Sequence, residues 1–377
     1  MPLPAVSTAA VAGTQACKKN ILLSIVLTGL AAAVAGKQPW KKKMMLSVLT
    51  GIASLIAYSS YFVGGWAAAW MAPVVEVPSL KDRVYVITGG NRGIGFQLVK
   101  RLVQAGATVI LCSRSMERGK SALEQLGSSA GLVKLMSLDL ASLASVRAFA
   151  AEFKDKFKRL DGLILNGGVA KTMQDTDGFR TTVDGFEEMI ATNFLAHFCL
   201  TLQLLQVLRA TPGARVVAMT SVASGNTYRS GIDYNTWTSR VPYYTDWAQY
   251  GQSKLALALF AEQLRSREPS ILSVACHPGV ARTGITTHSG SWLDYFYSEW
   301  FVYGILGMRE CDAVLNPLFC TTAEGLSPGA VYHPVGRKGF KRHWYQRLGA
   351  LQLPVTINVH HPELWHEAEK AVAHPEH

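Results

Sequence analysis

Acidic side chains are missing from the first fifth of this 377-residue chain. No Asp or Glu occurs between Met1 and Val75, and the only charges there are Lys18, Lys19, Lys37 and Lys41 to Lys43. Those six lysines carry 6 of the formal net charge of +11, which leaves about +5 for everything that follows. A basic balance concentrated in one acid-free segment argues for the flanks of a membrane segment rather than for nucleic acid. Cysteine pairing is missing too. Cys17, Cys112, Cys199, Cys276, Cys311 and Cys320 form no Cys-x-x-Cys pair and have no His partners at zinc spacing, so no metal site is expected. Cys112, Cys199, Cys276 and Cys320 stand in apolar runs and read as buried free thiols, which suits a reducing compartment. Internal repeats are absent, and low complexity is confined to the alanine-rich N-terminal region.

Apolar sequence, by contrast, is in surplus, at 49% of the chain, and the surplus sits in front. Asn20 to Gly36 is short and holds Ser24 and Thr28. Met44 to Val75 carries no charge over 32 residues and ends in Trp66, Trp70 and Met71. A helix of about 20 apolar residues spans a bilayer, so the second block is long enough to cross with tilt. The first is the other arm of a hairpin or part of an acid-poor, serine-containing leader. Lys41 to Lys43 favour the cytoplasmic side, and with one later span they would send the following domain across; a hairpin would keep it cytosolic. The expected organisation is an anchor over residues 1–78 with spans near 20–36 and 44–75, one large domain over 79–335, and a basic, aromatic tail over 336–377. The expected location is the endoplasmic reticulum or another organelle membrane, with a cytosolic domain.

The chain after the anchor is organised around Arg83-Val-Tyr-Val-Ile-Thr-Gly-Gly-Asn-Arg-Gly-Ile-Gly95. The run Val84 to Ile87 predicts a strand, Gly89, Gly90, Gly93 and Gly95 a turn, and the spacing from Phe96 to Gln104 a helix. Glycine lets the backbone turn tightly and lets a phosphate approach the amides at a helix N-terminus, where partial positive charge favours an anion. This pattern predicts the first βα turn of a dinucleotide-binding sheet. Further strands are expected at Thr108 to Cys112, Leu132 to Leu140, Asp161 to Leu165 and Arg215 to Met219. Ser142 stands where a helix cap is expected before Val146 to Phe153. The second strand ends in Ser113-Arg114, where a carboxylate would prefer a free ribose 2′-hydroxyl. Arg114, with Arg92 in the glycine turn, favours a 2′-phosphate instead, so NADP(H) is preferred and NAD(H) stays open.

Asn193 lies amid apolar residues on a helix expected from Met189 to Leu205, and His197 one turn later reads as a core or backbone-bonded histidine. A polar and aromatic insert from Gly225 to Asp246 leads to Tyr250-Gly-Gln-Ser-Lys254. The i, i+4 spacing sets the Tyr hydroxyl and the Lys ammonium on one helix face, where the cation makes the phenol a usable acid or base.

In this order, Thr88-Gly-x-x-x-Gly-x-Gly95, Asp139, Asn193, Ser221, Tyr250 and Lys254, with His277-Pro-Gly-Val-Ala-Arg-Thr283, resemble the short-chain dehydrogenase/reductase superfamily over residues from about 80 to 335. Asp184-Gly-Phe-Glu-Glu188, Asn193-Phe-Leu-Ala-His-Phe198 and Tyr250-Gly-Gln-Ser-Lys-Leu-Ala256 are similar to its retinol dehydrogenase-like, membrane-attached subgroup. The family's usual Asn-Asn-Ala-Gly stands here as Leu165-Asn166-Gly167-Gly168, one Asn short. The resemblance implies an α/β fold, a single Rossmann-like doubly wound parallel sheet with helices on both faces, preceded by the anchor. It implies cofactor contacts from Thr88, Gly89, Asn91, Arg92, Gly93, Ile94, Gly95, Arg114, Asp139, Leu140, Asn166, Gly167, Tyr250, Lys254, Pro278, Gly279, Val280 and Thr283, with Asp139 at the adenine. It further implies that Tyr250 moves the proton, Lys254 lowers its pKa and bonds the nicotinamide ribose, Ser221 holds the substrate oxygen, and Asn193 holds the water of a proton relay.

Ser291 to Tyr303 holds Trp292, Tyr295, Phe296, Tyr297, Trp300, Phe301 and Tyr303, an apolar lid or a segment packed on the sheet. The tail interleaves Arg337, Lys338, Lys341, Arg342 and Arg347 with Phe340, Trp344 and Tyr345; this suits anionic lipid headgroups, and no nucleic-acid module surrounds it. The expected partners are a lipophilic substrate, membrane lipid and, as in many relatives, a second copy in a homodimer. The expected activity is hydride transfer with a lipophilic carbonyl or alcohol of retinoid, steroid or long-chain type. The alternative is a membrane-tethered dinucleotide-binding scaffold or redox sensor without turnover.

Overall fold

The computed structural model describes residues 77–170, 179–279, 310–332 and 361–373. Both N-terminal apolar blocks, Val280, Thr283, the aromatic stretch from Ser291 to Tyr303 and the basic residues from Arg337 to Arg347 lie outside the described residues.

Short apolar runs bounded by turns form the strands β1 (Val84–Ile87), β2 (Thr108–Ser113), β3 (Val133–Ser137), β4 (Gly162–Leu165), β5 (Arg215–Met219), β6 (Leu272–Cys276) and β7 (Val331–Tyr332). They pair in parallel as one sheet in the order β3-β2-β1-β4-β5-β6-β7. A parallel sheet is covered on both faces, so its strands read as continuous apolar runs whose successive residues serve opposite sides. Tyr85, Ile87, Val109 and Leu111 point into one core, and Val86, Ile110 and Cys112 into the other.

On one face lie α1 (Gly93–Gln104), α2 (Met116–Leu126) and, after the short α6 (Glu310–Ala313), α7 (Leu315–Thr322). On the other lie α3 (Leu143–Lys156), α4 (Glu188–Ala210), α5 (Asp246–Arg267) and α8 (Leu364–Ala373). Ser142 caps α3 as expected, its hydroxyl accepting from the Ser145 amide at 3.3 Å. By length and composition α4 is apolar enough to cross a membrane, yet 78% of its most apolar window is buried inside this domain, as befits a core helix. Asp161 ties β1 to β4 at their starts: its carboxylate accepts from the Val84 amide at 2.9 Å and from Arg159 at 2.7 Å.

Helix α8 belongs to the core, although its sequence falls in the segment read as a tail. Trp365 is buried against Phe198 and Phe260, with ring centroids 5.0 and 5.8 Å away, and the Arg267 guanidinium covers its ring at 4.4 Å. Arg147 donates to the Val372 carbonyl at 2.6 Å, satisfying a carbonyl of the last turn.

The strands all run the same way, so the residues that follow them share one edge of the sheet. Thr88 follows β1, Arg114 follows β2, Asp139 lies just beyond β3, Asn166 follows β4, Thr220 and Ser221 follow β5, and His277 follows β6. In open α/β sheets that edge is where ligands bind.

Candidate functional site

At this edge a cleft is lined by the glycine turn (Gly89, Asn91, Arg92, Gly93, Ile94, Gly95), by Arg114, by Asp139 and Leu140, and by Asn166 and Gly167. Eleven residues expected at a dinucleotide thus meet in one place. Gly89 and Gly93 hold φ of 65° and 59°, a backbone region that favours glycine. Gly95 is required by close approach: a Cβ there would lie 2.6 Å from Asn166 Nδ2 and would collide with the Gly89 carbonyl. Asn166 in turn donates Nδ2–H to the Thr88 carbonyl at 2.8 Å. The first turn of α1 holds no acidic side chain, so its positive end faces the cleft uncompensated. A bare helix N-terminus, a glycine cradle and exposed arginines fit the phosphates of a dinucleotide.

The changed Leu165-Asn166-Gly167-Gly168 turn has a packing explanation. Leu165 is buried in the core beneath the turn, an apolar contact where the family has an amide. A Cβ on Gly167 would lie 2.6 Å from Leu140 Cδ1, so the Leu140 side chain fills the space that alanine would use.

Thr88 does not line the cleft but sits buried behind it. Its hydroxyl accepts from the amides of Asn166 (2.9 Å) and Gly167 (2.8 Å) and lies 2.9 Å from His197 Nε2.

The second half of the site is assembled on α5. Lys254 is buried, and its Nζ donates to the Met219 carbonyl at 3.0 Å at the end of β5. Thr220 Oγ1 donates to the Lys254 carbonyl at 2.8 Å, so strand end and helix are fastened from both directions. Burial pushes the Lys254 ammonium down to about 8. The Tyr250 ring lies one turn earlier, half-buried, with Lys254 Nζ 5.8 Å from its centroid and the half-exposed Trp247 ring stacked on it at 6.1 Å. Ser221 stands in extended conformation, its Oγ accepting from the Ala223 amide at 3.2 Å. The following turn presses against α5 at Gly251, where a Cβ would lie 2.6 Å from the Ala223 carbonyl. Glycine next to Tyr250 therefore lets the Ser221 segment approach the helix that carries the tyrosine.

Asn193 lies in a π-helical turn, Ala191–Leu195, within α4. Such turns insert one residue into a helix and redirect side chains, often at functional sites. The Asn193 carboxamide is fully buried. It accepts from the Val169 amide, and donates to the Val169 carbonyl and to Ser253 Oγ, all within 2.8 to 2.9 Å. A Cβ on Gly168 would lie 3.0 Å from Asn193 Oδ1 and 3.4 Å from Lys254 Nζ, so Gly168 marks where the two halves meet. Pro278 and Gly279 follow β6 at the same edge, outside the lining of the cleft.

Nine further lining residues were not expected at the cofactor, and three of them are instructive. Arg118 faces the cleft from the first turn of α2, behind the cap Ser115; recognising that cap would have placed a third guanidinium beside Arg92 and Arg114. Thr192 becomes visible only through the π-turn; its buried hydroxyl has no partner among the described residues. Glu310 arrives from a distant segment with no local signal. His197 is buried and backbone-bonded as expected, and Cys112, Cys199, Cys276 and Cys320 are buried free thiols. No cluster of three metal-binding side chains occurs among the described residues.

Residues 83–237 match the family model for short chain dehydrogenase. Human retinol dehydrogenase 12 is 34% identical over 253 residues, 66% of this chain and 76% of that protein. Human retinol dehydrogenase 13 is 37% identical over 216 residues, 56% of this chain, and the match spans less than two thirds (63%) of that relative. Mouse polyprenol dehydrogenase is 37% identical over 224 residues, 57% of this chain and 64% of that protein. Among solved structures, a protein of Mycobacterium paratuberculosis superposes with TM-score 0.58 at 27% identity, covering 81% of this chain and 99% of its own. A short-chain dehydrogenase of Shigella flexneri complexed with NADP superposes with TM-score 0.54 at 20% identity, covering 69% of this chain and 99% of its own. Sheet order, glycine cradle and relatives agree: the chain belongs to the short-chain dehydrogenase/reductases, in their retinol dehydrogenase-like subgroup.

Proposed function

We propose that the protein transfers a hydride reversibly between NADP(H) and a lipophilic carbonyl or alcohol, of retinoid, steroid or long-chain type, at a membrane surface. The observation that carries this reading is the buried Lys254, fastened to the end of β5 and one helical turn from Tyr250, at the strand edge that holds the glycine cradle.

When bound, the nicotinamide dinucleotide supplies or accepts the hydride. The N-terminus of α1 and the turn of Gly89 to Gly95 would hold its phosphates, and Asp139 and Leu140 its adenosine end. Arg92, Arg114 and Arg118 line that end and favour a 2′-phosphate over a bare ribose. Tyr250 gives its hydroxyl proton to the carbonyl oxygen in reduction and takes it back in oxidation. Lys254, its ammonium pulled down to about 8 by burial, favours the phenolate and would bond the nicotinamide ribose. Ser221 donates to the substrate oxygen, and Asn193 serves the proton relay behind Lys254. Pro278 and Gly279, which follow β6 at the same edge, would hold the nicotinamide end.

The lipophilic substrate rests on the apolar N-terminal blocks, the aromatic stretch from 291 to 303, and relatives named for retinol and polyprenol. The apolar blocks anchor the domain, and the substrate enters from the bilayer. The detergent-solubilised full chain, given NADPH or NADH and a panel of apolar aldehydes and ketones, tests this: turnover is expected with NADPH, rising with substrate chain length. Equal turnover of small polar carbonyls would contradict the lipophilic assignment.

A further inference from the structure

The buried His197 makes two contacts that the proposed chemistry has not used. One ring nitrogen, Nδ1, lies 2.8 Å from the Asn193 main-chain carbonyl, and the other, Nε2, lies 2.9 Å from Thr88 Oγ1. A carbonyl oxygen can only accept, so Nδ1 carries the proton and Nε2 is the acceptor. The Thr88 hydroxyl has two acceptors in reach, His197 Nε2 at 2.9 Å and the Ile164 carbonyl at 3.3 Å; the shorter bond goes to His197, while the hydroxyl accepts from the amides of Asn166 and Gly167. The chain of bonds runs from the turn after β4, through Thr88 and the imidazole, to the π-turn that carries Asn193. From there the Asn193 amide reaches Ser253, next to Lys254. Beside Asn193 in the same π-turn, Thr192 lines the cleft.

We propose that His197, in its neutral Nδ1–H form, is a positioning residue that joins the dinucleotide cradle to the proton-transfer half of the site. The Nε2 arm orients the Thr88 hydroxyl and through it the amides of Asn166 and Gly167. The Nδ1 arm fixes the Asn193 carbonyl and with it the π-turn. This deepens the oxidoreductase reading and rests on it. A histidine that merely filled the core would serve as well as any side chain of its volume; a two-armed one has separable functions.

Asparagine places an amide N–H near the position of Nδ1, and glutamine places a polar atom near that of Nε2. The test compares full-length wild type, His197→Asn, His197→Gln and His197→Phe in detergent. The readouts are NADPH dissociation constants by fluorescence titration and kcat with all-trans-retinal as the probe carbonyl. A hydrogen bond of ordinary strength corresponds to about a fivefold change. The Phe variant is expected to lose roughly that factor or more in both quantities. Asn should restore kcat toward wild type while NADPH binding stays weak, and Gln should restore NADPH binding while kcat stays low. Wild-type values in every variant would overturn the proposal, and so would equal loss of both quantities in folded Asn and Gln variants. If Phe prevents folding, the Asn and Gln comparison still decides. A wild type that binds NADPH but turns nothing over condemns the oxidoreductase reading, and the binding arm then judges the Nε2 contact separately.

Discussion

The Asn193 carboxamide closes a reciprocal pair with the main chain of Val169: it accepts from the Val169 amide at 2.8 Å and donates to the Val169 carbonyl at 2.9 Å. A short loop beyond β4 is thereby locked to the π-turn of α4, with Gly168 in the angle between Asn193 and Lys254. Gly168→Ala is expected to press a methyl on Asn193 Oδ1, 3.0 Å away, and bring it into contact with Lys254 Nζ at 3.4 Å. Displacements well under 1 Å are costly in proton transfer, so kcat should fall at least roughly tenfold while thermal stability changes little. Steady-state kinetics beside a melting curve check this, and an alanine variant of unchanged kcat would show that the contact has slack.

In the proposed reading, Arg114, with Arg92 and Arg118, sets the cofactor preference. Removing one charge-assisted hydrogen bond corresponds to about tenfold or somewhat more in affinity. Arg114→Ala should therefore weaken NADPH by about that factor and leave NADH unchanged, as read by titration with both dinucleotides. Equal weakening of the two would mean that the arginine meets a part common to both.

His197 is expected to make the fold acid-sensitive. Burial, aided by the Lys254 charge and opposed by the bond to the Asn193 carbonyl, holds its pKa down to about 4, against about 6.5 in an unfolded chain. The unfolded chain then binds more protons across that interval, so stability is complete above about pH 6.5 and is lost as pH falls towards 4. The full effect is at most about 3.5 kcal/mol, the shift converted at about 1.4 kcal/mol per unit. Urea midpoints at pH 4.5 and 7 should converge in His197→Asn relative to wild type; parallel pH dependence in both would remove His197 as the source.

The last helix is expected to stabilise the domain as any core element does. Trp365→Ala opens a cavity between Phe198 and Phe260 and should cost about 3–5 kcal/mol in chemical denaturation. A loss below about 1 kcal/mol would mean that α8 is a detachable tail.

Much of this arrangement was legible in the sequence because its signals are local. The strand, glycine turn and helix of residues 84–104 combine apolar patterning with backbone positions that tolerate only glycine. Tyr250 and Lys254 are related by helical periodicity alone. The four apolar-run cysteines and His197 declared their burial through their neighbours. What stayed hidden depends on contacts distant in sequence or on irregular backbone. The π-turn that aims Thr192 at the cleft breaks the period by which helices are recognised. Helix α8 follows basic and aromatic residues, and its pairing with α4 and α5 spans more than a hundred residues. Leu140 fills the space over Gly167 from another strand's loop, so the altered turn is a substitution in packing that its local sequence does not reveal.

The central claim is hydride transfer served by Tyr250, and its most direct measurement follows the hydride itself. Full-length protein in detergent is given NADPH deuterated at the transferable position together with all-trans-retinal, and the product alcohol is weighed by mass spectrometry, for wild type and Tyr250→Phe. The account predicts one deuterium per alcohol from wild type and a rate at least about a hundredfold lower from the variant, whose ring still stacks on Trp247 but carries no proton. Deuterated alcohol formed equally fast by the variant would contradict the role of Tyr250, and NADPH bound without any labelled alcohol from retinal or any other apolar carbonyl would contradict the enzyme.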